Sequence, residues 1–287
     1  MTSNLNYTQS IGTASYNAFQ ARLERRFTSG LMSLISYTWS KSLDNSSGYF
    51  GVENGAGQNG SSVQNYFAPD SNRSVSGYDI PHFFSWFTIY ELPFGRGEKW
   101  LQHGLASWIV GNWQVNYIFQ ARSGQPFNLN VGGDPANISG SIGSVTGYSR
   151  PNLIADPFAA GPVPANPDAG CQKTISQGGK AADQTHTIQT WFNPCAFAAP
   201  SNGFGNFGRN ELRSDHVVNM DFSLFRKVRL TESKELQLRA EAFNVFNIMN
   251  LGVPSITTIG QSGAGRITSL VGNTNPRQLQ LGLRFVF

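Results

Sequence analysis

The eleven residues Arg277–Phe287, RQLQLGLRFVF, decide how the rest of the chain is read. In an extended strand, successive side chains point to opposite faces. Leu279, Leu281, Leu283, Phe285 and Phe287 then share one face. Gln278, Gln280, Gly282 and Arg284 share the other, with Val286 its one apolar member. One face is wholly apolar, and the length matches the roughly 9–11 residues that a tilted strand needs to cross a bilayer. The segment reads as a lipid-facing strand of a β-barrel, with Phe287 at the periplasmic rim.

The same period recurs upstream. In YNAFQARLERRF (16–27), Phe19, Ala21, Leu23 and Phe27 alternate with Gln20, Arg22, Glu24 and Arg26. Arg25 interrupts the apolar side where its long side chain can snorkel to headgroups. Good helix formers make a helix the competing reading. The turn Thr28-Ser29-Gly30 and the second run LMSLISYTW (31–39) favour a hairpin. A third strand is expected at 82–92, HFFSWFTIYEL, where Phe83 and Phe87 spoil the polar side. The fourth, 109–122, has the cleanest alternation: Trp113, Val115, Tyr117 and Phe119 against Gln114, Asn116 and Gln120, with Ile118 as the exception. Strands at 216–229 and 235–247 follow, where Met220, Phe222 and Leu224, then Leu236 and Leu238, carry the apolar side.

The connections sort by length. Links after the first, third and fifth strands are short; those after the second, fourth and sixth span about 40–79, 123–214 and 248–276. Structureless loops beyond roughly 12–15 residues are uncommon in compact soluble domains, whereas outer-membrane barrels pair short periplasmic turns with long external loops. The expected fold is therefore all-β: an antiparallel up-and-down meander of seven or eight long strands over 1–287, either part of a larger transmembrane barrel or, with an eighth strand hidden in the long loops, a small closed one. Phe19, Trp113, Tyr117, Phe222, Leu238, Leu281 and Phe285 are the expected lipid-facing residues, and outer-membrane lipid the expected surrounding.

Composition agrees. Of 287 residues only 13 % are charged, against about 25 % in soluble domains, and mean hydropathy is −0.27. No run approaches the roughly 18 apolar residues of a membrane helix. A net charge of +4 is spread along the chain, with no dense basic patch among aromatics, so nucleic acid is not an expected partner. Cys171 and Cys195 admit one disulfide in the long 123–214 loop; the alternative is two unpaired thiols. The opening MTSNLNYTQSIG (1–12) lacks the basic-then-apolar pattern of a leader, so a signal peptide is expected to be absent from this stretch.

Chemistry-bearing motifs are few. His82, His103, His186 and His216 are far apart in sequence and form no metal-binding pattern. Gly95-Arg96-Gly97 reads as a turn, not a phosphate loop, and no serine lies in G-x-S-x-G. No catalytic, cofactor-binding or metal residues are assigned, and enzymatic activity is not expected. Arg22, Glu24, Arg26, Arg239 and Glu241 are expected on the lumen side as mutual ion pairs.

Longer stretches carry a resemblance. WFNPCAFAAP (191–200), FGNFGRNELR (204–213), MDFSLFRKVRLTE (220–232) and LQLRAEAFNVFN (236–247), in that order, resemble the C-terminal barrel portion of TonB-dependent receptors. The closest resemblance is to the Oar-like group, which carries a carboxypeptidase-regulatory-like domain. SYTWSKSLDN (36–45) and the ending GRITSLVGNTNPRQLQLGLRFVF resemble that group too. The resemblance implies ligand uptake across the outer membrane, contact with TonB, and insertion by the barrel-assembly machinery using Phe285 and Phe287 as a C-terminal signal. It also implies a plug domain and about twenty-two strands. The sequence accounts for seven strands and no plug, so the missing N-terminal strands and plug are expected partners. A surface or secreted all-β adhesion protein without transport is the competing function.

Overall fold

The computed structural model describes residues 10–49, 52–53, 64–65, 68–95, 98–133, 135–136, 149–159, 171, 185–231, 234–272 and 274–287. Arg96, Gly97 and most of the N-terminal stretch 1–12 lie outside these residues, as do Glu232 and Ser233 of the 230–234 turn. Seven long strands run as one antiparallel sheet: β1 Ala14–Thr28, β2 Leu31–Asp44, β3 His82–Glu91, β4 Trp113–Arg122, β5 Val217–Arg229, β6 Glu235–Phe243 and β7 Gln278–Val286. Each pairs with its sequence neighbour. A two-residue strand, Ser74–Val75, pairs beside the end of β2.

The β1–β2 hairpin turns at Ser29 and Gly30, both at positive φ (51° and 77°). This is the backbone that two-residue hairpin loops use to match strand twist. A Cβ on Gly30 would also sit 2.9 Å from the Glu91 carbonyl oxygen. Phe19 then faces Trp39, and Leu23 faces Ile35.

Three strand ends differ from the sequence reading by more than two residues, each for a local reason. β2 runs on to Asp44 instead of stopping at Trp39. Ser40, Ser42 and Asp44 are polar, yet they are buried under the long loops and the Ser42 N–H donates to Asp79 Oδ1. β4 begins at Trp113, because Gly104–Val110 forms a helix, α1. Gly111 ends it by donating its N–H to the Ser107 carbonyl, and a Cβ there would meet that oxygen at 2.3 Å. β6 stops at Phe243, where Asn244 takes a positive φ of 48° and donates its N–H to Asp221 Oδ1. Beyond that point the Asn250 side chain replaces a strand partner for β5, accepting from the Val218 N–H at 2.8 Å and donating to its carbonyl at 3.0 Å.

The long loops are not the irregular segments that their composition suggests. The described parts of 123–214 and 248–276 share one apolar core, including Phe127, Leu129, Trp191, Phe192, Phe197 and Ile259. Short pairings hold it: Asn130–Val131 runs parallel to Thr258–Ile259, and Leu212–Arg213 pairs with Pro126–Phe127. Phe192 packs edge-on against Phe197, which packs edge-on against Phe207. The protein therefore has a strand wall and a separately packed cap at its long-loop end. Phe192→Ala opens a cavity in a fully buried site, and a loss of about 3–5 kcal/mol is expected. Limited proteolysis should show the cap cleaved sooner while the strand wall stays resistant.

Candidate functional site

The sheet has two faces, and the registers define them row by row. One row runs Leu23, Ile35, Trp86, Phe119, Met220; another runs Thr88, Tyr117, Phe222, Ala242, Leu279. On this apolar face lie Phe19, Trp113, Tyr117, Phe222, Leu238, Leu281 and Phe285. Leu281 is 85 % exposed and Phe19 60 %. Trp113, Tyr117, Phe222 and Leu238 are half-buried by neighbours on the same face. Trp86 packs edge-on against Tyr117 at 4.9 Å, and its indole N–H donates to Ser33 Oγ, which itself bonds Thr88. Phe287 stacks on Phe285 at 6.1 Å and is fully open to the surroundings.

The opposite face is mixed. Arg22 pairs with Glu24 at 2.9 Å, and Arg239 approaches Glu241 at 3.9 Å. Between these polar flanks lies an apolar band. Leu34, Phe87 and Ile118 stand side by side on β2, β3 and β4, with Met32 beside Ile89 in the next row. Sequence alternation registers Phe87 and Ile118 only as exceptions. Pairing collects the band into one patch, because its members on adjacent strands share a register level.

At the long-loop end, this second face is closed by a buried polar network. Arg209 and Asp44 are fully buried and form an ion pair through Arg209 Nη2 and Asp44 Oδ1. Arg209 also donates to the Asp44 carbonyl at 2.7 Å and to Ser47 Oγ at 2.9 Å. Ser47 Oγ in turn donates to the Asp44 carboxylate. Arg213 pairs with Asp79 and donates to its carbonyl at 2.9 Å. Arg150 donates to Asn72 Oδ1, and Asn72 donates to the Asn45 carbonyl. Such charges are stable out of water only when paired and fully hydrogen-bonded. The network ties the outer end of β2 to segments 68–79 and 205–213. Asp44 and Arg209 are 165 residues apart, so no local spacing in the sequence marks them.

Cys171 and Cys195 are joined by a disulfide with Cα atoms 4.8 Å apart. Both cysteines are buried, and Asn193, two residues before Cys195, accepts from the Cys195 N–H at 3.0 Å. Among the described residues no group of three or more His, Cys, Asp or Glu gathers in a metal-binding arrangement. Nor is any described helix long and apolar enough to cross a membrane.

A family model described as an outer membrane beta barrel domain matches residues 1–280. Neither the curated proteins nor the solved structures yield a match.

The cap makes two predictions. Asp44→Ala strands the Arg209 guanidinium without its counter-charge, and about 3–5 kcal/mol of cap stability is expected to be lost; the paired change Asp44→Leu with Arg209→Met should restore most of it. Thermal unfolding of the two variants side by side measures the difference. Reduction of the Cys171–Cys195 bridge frees a loop closed over 24 residues. A loss of about 3 kcal/mol is expected, read as a lower cap melting temperature in dithiothreitol.

Proposed function

The chain belongs to the outer membrane beta barrel domain family, and from that premise we propose that it is wall and mouth of a TonB-dependent receptor of the Oar-like group, a plugged barrel that takes up a ligand. Its location in the outer membrane makes the apolar face the lipid face and the opposite face the lumen face. The observation that carries the reading is the apolar band of Met32, Leu34, Phe87, Ile89 and Ile118 on the lumen face. The interior of a water-filled channel is polar. Apolar side chains across three adjacent strands call for a folded surface against them, and a plug supplies one.

The sheet edges point the same way. β1 and β7 each have a strand on one side only among the described residues. Unpaired N–H and C=O groups in hydrocarbon cost several kcal/mol each. For two edges of this length the sum is on the order of tens of kcal/mol. Further strands must therefore adjoin both edges. A barrel of about twenty-two strands has a lumen wide enough to need filling. In this reading the capped mouth offers the first surface a ligand meets, and the short-turn end faces the periplasm, where TonB delivers energy. The role is carriage, not catalysis.

Formaldehyde cross-linking in intact cells tests it. A TonB adduct of the protein is expected, together with low basal conductance in planar bilayers that rises in the Phe87→Gln variant as the plug loosens. No adduct and an open channel insensitive to Phe87 would defeat the proposal. On the lipid side, Leu281→Arg at mid-strand is expected to cost about 2–4 kcal/mol of folding free energy in phospholipid vesicles. Gln280→Arg, one residue away on the lumen face, should cost far less.

A further inference from the structure

The β3–β4 connection inverts the usual pattern of a surface helix. In α1 the polar Ser107 is buried, while Leu105 is 81 %, Trp108 66 % and Ile109 58 % exposed. Trp100 and Leu101, just before the helix, are exposed as well. A helix at a protein–water boundary turns its apolar stripe inward; contiguous apolar exposure of this kind marks an interaction surface.

The anchorage of α1 shows which surroundings it meets. Trp113 and Arg226 are cross-strand partners on the lipid face of β4 and β5. The Trp113 indole N–H donates to the Ile109 carbonyl at 3.0 Å. Arg226 donates through Nη2 to the Trp108 carbonyl. Its guanidinium lies 5.6 Å from the Trp108 ring centre and 5.4 Å from that of Trp113. The C-terminal turn of α1 is thus pinned to the lipid side of the wall at the short-turn end. Arg226 stands three residues before the end of β5. An arginine on a barrel's lipid face is costly at the midplane and nearly free at the interface, and tryptophan favours that same interface. Arg226 with its two tryptophans therefore suits the headgroup level at the short-turn end.

We propose that α1 is an interfacial foot seated in the phospholipid of the periplasmic leaflet. Leu105, Trp108 and Ile109 enter the boundary between headgroups and acyl chains, as apolar faces of interfacial helices do. Arg226, within cation–π reach of both indoles and bonded to the Trp108 carbonyl, locks the foot to the wall. Continuity with the lipid face commits the surface to lipid, and the inference is independent of whether TonB or a plug is involved.

Spin-label depth measurement tests it on the full-length protein purified from outer membranes and reconstituted in phosphatidylethanolamine–phosphatidylglycerol vesicles. Leu105→Cys and Ile109→Cys are labelled separately, with Leu281→Cys as the wall reference and Lys99→Cys as the exposed polar reference. Collision with oxygen is compared with collision with a water-soluble nickel chelate. The expected result is a shift toward oxygen at both helix positions, smaller than at Leu281→Cys and larger than at Lys99→Cys. A nickel-accessible helix beside an oxygen-accessible Leu281→Cys overturns the foot alone. Shielding from both reagents means that protein covers the helix, a second copy or another chain, and also overturns it. Nickel access at Leu281→Cys would instead defeat the lipid-face assignment of the wall. Arg226→Gln is expected to weaken the shift at Ile109→Cys while the oxygen access of Leu281→Cys stays unchanged.

Discussion

Hydrocarbon offers backbone groups no hydrogen-bond partner, and every other feature of this protein answers to that constraint. A strand can cross only if both its edges are paired. Within the sheet the condition is met along the strand pairs, from Ala14 opposite Asp44 to Glu235 opposite Val286, with one register shift in β1 between Arg25 and Thr28. Where β6 ends before β5 does, the Asn250 amide takes over both groups of Val218. Among the described residues, β1 and β7 are each paired on one side only.

The same constraint separates two kinds of polar economy. Inside the wall, charged groups are kept to the lumen face or the interface, where Arg22 and Glu24 or Arg239 and Glu241 meet at modest cost. At the long-loop end, Arg209 and Asp44 are buried completely. Exposed ion pairs contribute little to stability. Buried ones cost desolvation and depend on geometry, which here is completed by Ser47, the Asp44 carbonyl and Asn72. The network gives the cap a defined orientation over the end of β2, so that the mouth is a shaped surface.

Aromatic residues divide along similar lines. Those in the cap, such as Phe192, Phe197 and Phe207, pack on each other in a dry core. Those on the wall, such as Trp39 and Trp86, remain partly open on the lipid face. At the short-turn end, Trp108 and Trp113 do something else: both rings lie within cation–π reach of the Arg226 guanidinium. One residue class thus serves three solvents, and position relative to the bilayer decides which.

Much of the wall was legible in the amino-acid sequence, because a strand crossing lipid has a period of two and each face has one neighbour chemistry. RQLQLGLRFVF shows this over its whole length, and the contrast between short and long connections orders the strands as a meander. Strand ends were legible only in part. β2 looks finished at Trp39, since Ser40 and Ser42 are polar, and only the cap that buries them explains its extension. The helix at 104–110 was hidden because Ile109, Gly111 and Trp113 also fit the strand period. The lumen band and the Arg209–Asp44 network depended wholly on tertiary structure. Leu34, Phe87 and Ile118 stand apart in three segments until register sets them side by side. Arg209 and Asp44 meet only when the loop that carries Arg209 folds back over the end of β2, 165 residues away. Local periodicity reports the surroundings of a single strand; contacts across strands and loops are fixed by pairing and packing, to which no local pattern refers.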